Sequence, residues 1–498
     1  MQLQIIRNNI ALFNQACQYF LRVIRNKNWL AKLMWNCINL AMRGSSLGLG
    51  TVLLLLASGT GAEASDSSLW QREKLTGDWG GARTALERKG IDIGVTYIGE
   101  TLSILSGGLR RGTTFEGRLE ASVDTDLEKL VGWAGARTHV KAFQIHNANG
   151  VNAADYVGSL ADPSNIDALR TTRLFTAWFA QSFGSFASIA IGQLAADDYY
   201  LSGRTAGGLI NGTFGWATIA SANLPSGGPA YPLATPGARL KINPTENLSL
   251  AVAALSGDPA GKGCYDNNPD ANPQSCNRHG TTFSFSGGTL WAFGLEYEVN
   301  QGKEATGLAA AYKLGGWFHT GRFADQRFGV DAAGNTITLA LDPENPLNHR
   351  GNWGIYGIID QMLWRKGDAS ISVFTRAGFA PSDRNLVSWY VDGGIGLKGL
   401  AASRPDDTLT FGVAHSHISK DAAGLDRDTL ALNGPPYPIR NGETVFELSY
   451  IAQIAPWWTI QPDVQYIVRP GGNVQDPYNP SRAVGNAFII GARTTLTF

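Results

Sequence analysis

From Ile91 to the last residue, Phe498, one pattern recurs: short stretches in which apolar and polar residues alternate with period two, separated by turns rich in Gly, Pro, Asn and Asp. Successive side chains of a strand point to opposite faces, so each stretch reads as a β-strand with one apolar and one polar side. Leu119, Ala121 and Val123 oppose Arg118, Glu120, Ser122 and Asp124; Trp291, Phe293, Leu295, Tyr297 and Val299 oppose Glu296 and Glu298. Phe446, Leu448, Tyr450, Ala452 and Ile454 alternate with Glu447, Ser449 and Gln453, and the final strand sets Phe488, Ile490, Ala492, Leu496 and Phe498 against Arg493, Thr495 and Thr497.

Two architectures accept such dyads: a soluble antiparallel sheet with one wet face, or a membrane barrel whose apolar face meets lipid and whose polar face lines a lumen. No stretch after residue 57 offers the 18 apolar residues of a helical span. Three features favour the barrel. The chain ends on the aromatic Phe498 with no tail. Aromatic residues gather at strand ends (Trp353, Trp364, Trp389, Tyr390, Trp457, Trp458), where interfacial girdles would need them. Long polar insertions (257–288, 318–350, 415–441) alternate with short turns such as that from Trp364 to Asp368. We expect an all-β, transmembrane antiparallel barrel of about 16 strands, at roughly 25 residues per strand and connection.

Ahead of it, Leu47–Ala57 is an apolar run too short to span a bilayer, followed by the small-residue frame Ala62-Glu63-Ala64. This is the form of a secretory signal peptide cleaved after Ala64, and Met42-Arg43 would open a compact one, so Met42 is the expected true start. The expected division is residues 1–64 as presequence, 65–90 as an N-terminal segment and 91–498 as barrel. The formal charge of zero, 41 basic against 41 acidic residues, then averages two objects: residues 1–64 hold six of the bases and one of the acids, leaving 35 and 40 and a net charge of −5. That balance carries no nucleic-acid footprint. Cys264 and Cys276 remain, in a polar loop of an exported chain, and are expected to form a disulfide. A metal site with His279 is the alternative, but two thiols twelve apart lack a second ligand pair.

Residues 78–89 do not alternate. Asp78 is a candidate N-cap, basic residues crowd the end and Gly90 suits the position after it, so a short helix is expected, either plugging the barrel or packed at its periplasmic end. Enzymatic signals are weak. The single G-x-S-x-G match, Gly44 to Gly48, falls in the presequence. His415 and His417 share a face but have no evident third ligand.

Several segments, in order, carry a resemblance: LTGDWGGARTALERKGIDIGVTYIGE (Leu75 to Glu100), Gly107-Gly108, DTDLEKLVGWAG (Asp124 to Gly135), IGQLAADDYY (Ile191 to Tyr200) and the close from Glu447 to Gly472 with GARTTLTF (Gly491 to Phe498). These resemble the OprB-type carbohydrate-selective porins across nearly all of the chain after the presequence. The resemblance implies a 16-stranded outer-membrane barrel admitting sugars by passive, saturable diffusion, a lumen narrowed by arginine and acidic side chains, and no cofactor. Its partners would be sugars, outer-membrane lipid and the barrel-assembly machinery that reads Phe498; the number of protomers, one or a homo-oligomer, stays open. Trp79 and Arg83 match the family's WGGxR, Glu100 its first-strand acid, and Gln193 with Asp197 its GQLxxD; DDYY follows where many relatives place a Phe, which implies a local pocket of different shape. As substrate-binding, pore-lining candidates we take Arg83, Glu100, Arg118, Glu120, Asp197 and Arg239, with Trp79 and Gln193 as structural motif residues. Arg83 and Asp197 have structural alternatives, as a clamp and as a loop brace. Rival readings are a porin for another small solute, such as an organic anion, and a barrel-embedded hydrolase.

Overall fold

The computed structural model describes residues 68–265, 271–302 and 305–498. All belong to the unit Glu63–Phe498; the expected presequence, with Met42 and Ala64, lies outside the described residues.

The alternating stretches become strands β1 (Ile91–Gly108), β2 (Gly112–Asp126), β3 (Ala136–Asn147), β4 (Thr171–Phe183), β5 (Ala187–Leu194), β6 (Thr235–Ile242), β7 (Leu248–Ser256), β8 (Thr289–Val299), β9 (Ala310–Val330), β10 (Pro346–Lys366), β11 (Ala369–Phe379), β12 (Val387–Lys398), β13 (Thr408–Ile418), β14 (Gly442–Ala455), β15 (Trp458–Val468) and β16 (Gly485–Thr497). Each pairs antiparallel with its sequence neighbour, and β16 pairs with β1 from Thr96↔Thr497 to Gly108↔Gly485, closing a 16-stranded barrel with no free edge. A three-residue strand, Thr336–Thr338, pairs with the tip of β9.

Polarity decides between the two architectures. The apolar side is the exposed one: Leu240, Phe293, Leu295, Leu314, Ile359, Phe411, Leu448 and Ile490 all stand outside, a continuous belt no water-soluble surface would carry. The charged side is the buried one, with Glu100, Arg173, Arg376, Asp392 and Glu447 inside. Only a lipid-facing barrel reconciles these.

The two ends differ as expected of long outer loops and short periplasmic turns, but the loops themselves correct the sequence reading. Residues 318–350 are not mainly an insertion: β9 and β10, 21 residues each, run through them as a long hairpin. Residues 415–441 hold the end of β13 and a helix, α2 (Lys420–Asn433), N-capped by Ser419. Two loops not anticipated, 148–170 and 195–234, fold into the barrel and supply its internal core: Ala153, Val157, Leu201, Ile210, Phe214, Ile219 and Leu224 pack against inward Leu102, Ile104, Phe374 and Ile489.

The N-terminal helix, α1 (Ala82–Arg88), forms one turn later than Asp78 suggested. A 3-10 turn, Trp79–Gly81, intervenes, and the Asp78 carboxylate reaches across it to accept from the Thr84 amide at 2.8 Å. Gly90 takes φ +85°, and a Cβ there would lie 2.5 Å from the Asp126 carbonyl oxygen. The segment packs at the periplasmic end: the Leu75 amide donates to Thr497, the Trp457 indole donates to Leu69, and Trp70 stacks on Trp457.

Candidate functional site

The lumen wall has two kinds of surface. Along β10–β16 and the adjoining β1–β2 it is covered by the inward loops, and its charged side chains hold them. Glu447 accepts from the Ile210 and Asn211 amides at 2.5 and 3.0 Å. Glu443 takes Leu160, Ala161 and Gly471 (2.8–3.0 Å), and Glu116 takes Ala153 at 2.6 Å. Asp360 accepts from the amide and hydroxyl of Thr205, both at 2.7 Å. Arg376, ion-paired to Asp392, donates to the carbonyls of Leu201 and Thr213. Loop backbone groups buried away from water need such partners, and ionised side chains are the strongest available.

From β2 to β9 the wall stays partly open. Arg118 lies 3.5 Å from Glu120, and Lys141 on β3 lies 3.4 Å from the other Glu120 oxygen, which makes a cation–anion–cation chain. The Arg118 guanidinium also sits 4.8 Å from the ring centres of both Phe143 and Tyr231. Arg239 on β6 covers the ring of Tyr199 at 4.2 Å. Lys313 on β9 pairs with Glu296 on β8 at 2.5 Å, and His139, stacked on Trp178, bonds Asp124 at 2.7 Å. Among the described residues, neither Arg118 Nε nor Arg239 Nε has a hydrogen-bond partner. Hydrogen-bonding charges of both signs thus alternate with aromatic faces.

The loops bring acids of their own. Burial, with Asp198 next to it, pushes the Asp197 carboxyl up to about 7, although the Tyr231 amide donates to it at 2.9 Å. Burial, with Asp155 nearby, raises Asp162 to about 6. Tyr231 is held in place by a bond from its hydroxyl to the Ile166 carbonyl, linking the two inward loops.

Of the candidates, Arg118 and Glu120 stand together on the open wall, and Arg239 lies on β6 of that wall against Tyr199. Glu100 points inward, as alternation requires, but the 148–170 loop covers it to 1% exposure: it pairs with Arg493 at 2.7 Å, accepts from Ser164, and Arg493 reaches Asn165. It faces a loop, not the open lumen. Arg83 is likewise a correction. It lies below the strands, donating to the Phe498 carbonyl at 2.9 Å with its guanidinium 4.1 Å over Trp79, so it clamps helix to C-terminus. Asp197 braces the 195–234 loop, and Gln193 ties Phe175 to Gly280. Cys264 and Cys276 are joined in a disulfide. His415 and His417 stack around Trp389 on the outer face, and among the described residues no group of three or more His, Cys, Asp or Glu is placed to hold a metal. Sequence reading missed Lys141, Lys313 and Tyr231. Lys141 had a signal, since it alternates with Val140 and Ala142; Tyr231 had none, because its place depends on how a loop packs.

A closed barrel, an apolar outer belt and a lumen of mixed charge backed by aromatic rings are the parts of a channel for polar solutes. The profile of the carbohydrate-selective porin, OprB family matches residues 110–498. Porin B of Pseudomonas aeruginosa is 26% identical over 477 residues, covering 89% of this chain and 95% of that protein. The putative porin QuiX of Acinetobacter baylyi is 23% identical, covering 87% and 95%. The high-pH structure of Pseudomonas putida OprB superposes with a TM-score of 0.75 at 24% identity, over 88% of this chain and all of that one. The chain belongs to the OprB family of carbohydrate-selective porins, and it is an outer-membrane carbohydrate porin.

Proposed function

We propose that neutral sugars cross into the periplasm along the open wall of β2–β9, by passive and saturable diffusion, with Arg118, Glu120, Lys141 and Arg239 as the groups they meet. The observation that carries this reading is the Arg118–Glu120–Lys141 chain beside the rings of Phe143 and Tyr231. A sugar offers hydroxyls around its rim and C–H groups on its face. Charges of both signs replace water at the rim, and an aromatic ring supports the face. Binding has to stay weak, because a solute held tightly would not leave. No step in this passage breaks a bond, so the chain acts without catalysis.

Planar-bilayer recording tests it. Open-channel current should fall with rising glucose or disaccharide concentration and saturate. Current indifferent to sugars but blocked by an organic anion would transfer the reading to an anion porin; ester hydrolysis without conductance would support the hydrolase. We further infer that residues 1–64 are removed on export and that Phe498 is the signal read by the assembly machinery, so deleting Phe498 should lower the amount of barrel in the outer membrane. N-terminal mapping of the precursor tests the Met42 start.

A further inference from the structure

On β9 and β10 the outward face ends in an aromatic row: Phe318 lies opposite Trp353, and Phe379 is 6.0 Å from Trp353. Such rings mark the level where hydrocarbon gives way to headgroups. Just beyond them, four residues past Phe318 and three before Trp353, Arg322 and Arg350 stand directly opposite each other. Both are exposed, and neither has a hydrogen-bond or ion-pair partner among the described residues.

Like charges placed directly across two strands repel, yet these two stand opposite each other, next to an irregularity of the hairpin. Strict alternation would put Arg350 and Trp353 on opposite faces. A register shift between Arg350 and Asn352 sets two residues of β9, Thr320 and Gly321, against the single Gly351 at φ +83°, and beyond it Arg350 stands exposed opposite Arg322. Bulges of this kind re-aim a side chain, and the positive φ favours glycine. Neighbouring arginines at this end are neutralised: Arg327 by Asp428, Arg384 by Asp383 and Arg440 by Asp426. Arg322 and Arg350 have no such partner among the described residues.

We propose that Arg322 and Arg350 clamp a phosphate on the headgroup of an outer-leaflet lipid. Two guanidinium forks side by side suit a doubly charged phosphate, whose oxygens accept from both and remove the repulsion between them. The pair sits about 10–13 Å along the strands beyond the aromatic row, within reach of headgroup phosphates for side chains of arginine length. Phe285, 84% exposed, precedes β8, whose Thr289 amide bonds the Thr320 hydroxyl on β9.

The test uses the full barrel extracted from outer membranes, with bound phosphorylated lipid A measured by native mass spectrometry and then titrated back onto delipidated protein. Retention should fall about fivefold in R322Q or R350Q and about twentyfold in the double variant, while R322K/R350K keeps part of it. Lipid A stripped of its phosphates should bind the wild-type barrel as weakly as intact lipid binds the double variant, and inorganic phosphate in molar excess should not displace the lipid. Sugar block should be unchanged, since the pair is on the outer wall. Equal lipid retention by wild type and a double variant with normal heat-modifiable migration overturns the proposal. Full displacement by inorganic phosphate also overturns it, by assigning the pair to a free anion.

Discussion

The two sides of the lumen are built from the same materials and use them differently. On the covered side Glu447, Glu443, Glu116 and Asp360 take backbone amides of the inward loops, and Arg376 and Arg493 hold loop carbonyl or amide oxygens. On the open side Arg118, Glu120, Lys141, Lys313 and Glu296 pair with one another and keep a fifth or so of their surface free. The change occurs within one strand: Glu116 holds loop backbone, whereas Arg118, two residues on and also inward, pairs with Glu120 and touches the 195–234 loop only through the Tyr231 side chain. A wide barrel becomes a selective one when half its wall is spent on fixing what narrows it.

If that division holds, the largest effects of mutation belong to the covered side. Arg376→Ala removes the partner of Asp392, whose side chain is fully buried, and frees the carbonyls of Leu201 and Thr213. Stranding one member of a buried pair costs about 3–5 kcal/mol. Heat-modifiable migration should show a smaller folded fraction, and surviving channels should conduct more because the 195–234 loop is released. Wild-type stability and conductance in R376A would end the claim that the wall holds the loop. Glu447→Ala should act in the same direction with a smaller cost, about 1–3 kcal/mol for the orphaned Ile210 and Asn211 amides, read as raised single-channel conductance and weakened sugar block.

On the open side, stability and block should separate. Arg118→Ala removes a group whose contacts are Glu120, the Phe143 ring and the ring and hydroxyl of Tyr231, so assembly and conductance persist while sugar block weakens about tenfold, the loss of one charge-assisted bond. Unchanged block would take Arg118 out of the path. A fall in folded fraction like that of R376A would erase the distinction between the two sides.

How much of this was readable beforehand follows the same line. Alternation assigns faces because lipid tolerates no charge, so the inward direction of Glu100, Arg118, Glu120, Arg239 and Arg493 was legible in the chain. Whether an inward charge is covered was not: Glu100 and Glu120 are alike in spacing, and differ only because Ser164 and Asn165 arrive over the first from a distant loop. The loops misled in opposite ways. Residues 318–350 look like a polar insertion because a hairpin that leaves the membrane is wet on both faces, and alternation disappears while the strands continue. Residues 195–234 are rich in Ala, Gly and Pro and attract no notice as an insertion, for the reason that they live inside the barrel, where Ala206, Ile210, Ala217 and Ala220 are buried.

The smallest expected effect tests the hinge between the two sides, the brace of Asp197 on Tyr231. Burial and Asp198 raise this carboxyl to about 7 from its ordinary 3.8. A carboxyl raised on folding is more stable there as the neutral acid, so its contribution is complete below about pH 4 and is lost as pH climbs through 7. The 195–234 loop, and with it Tyr231 beside Arg118, is therefore held more firmly at pH 5–6 than at pH 8. Sugar block should weaken modestly, about two- to threefold, across that interval, and open-channel noise should rise. Asp197→Asn keeps an acceptor for the Tyr231 amide and has no charge to acquire, so it should flatten the profile near its low-pH level. A slope that survives in D197N would assign the titration to Asp162, which burial raises to about 6 in the other inward loop, and Asp162→Asn would then be the variant that removes it.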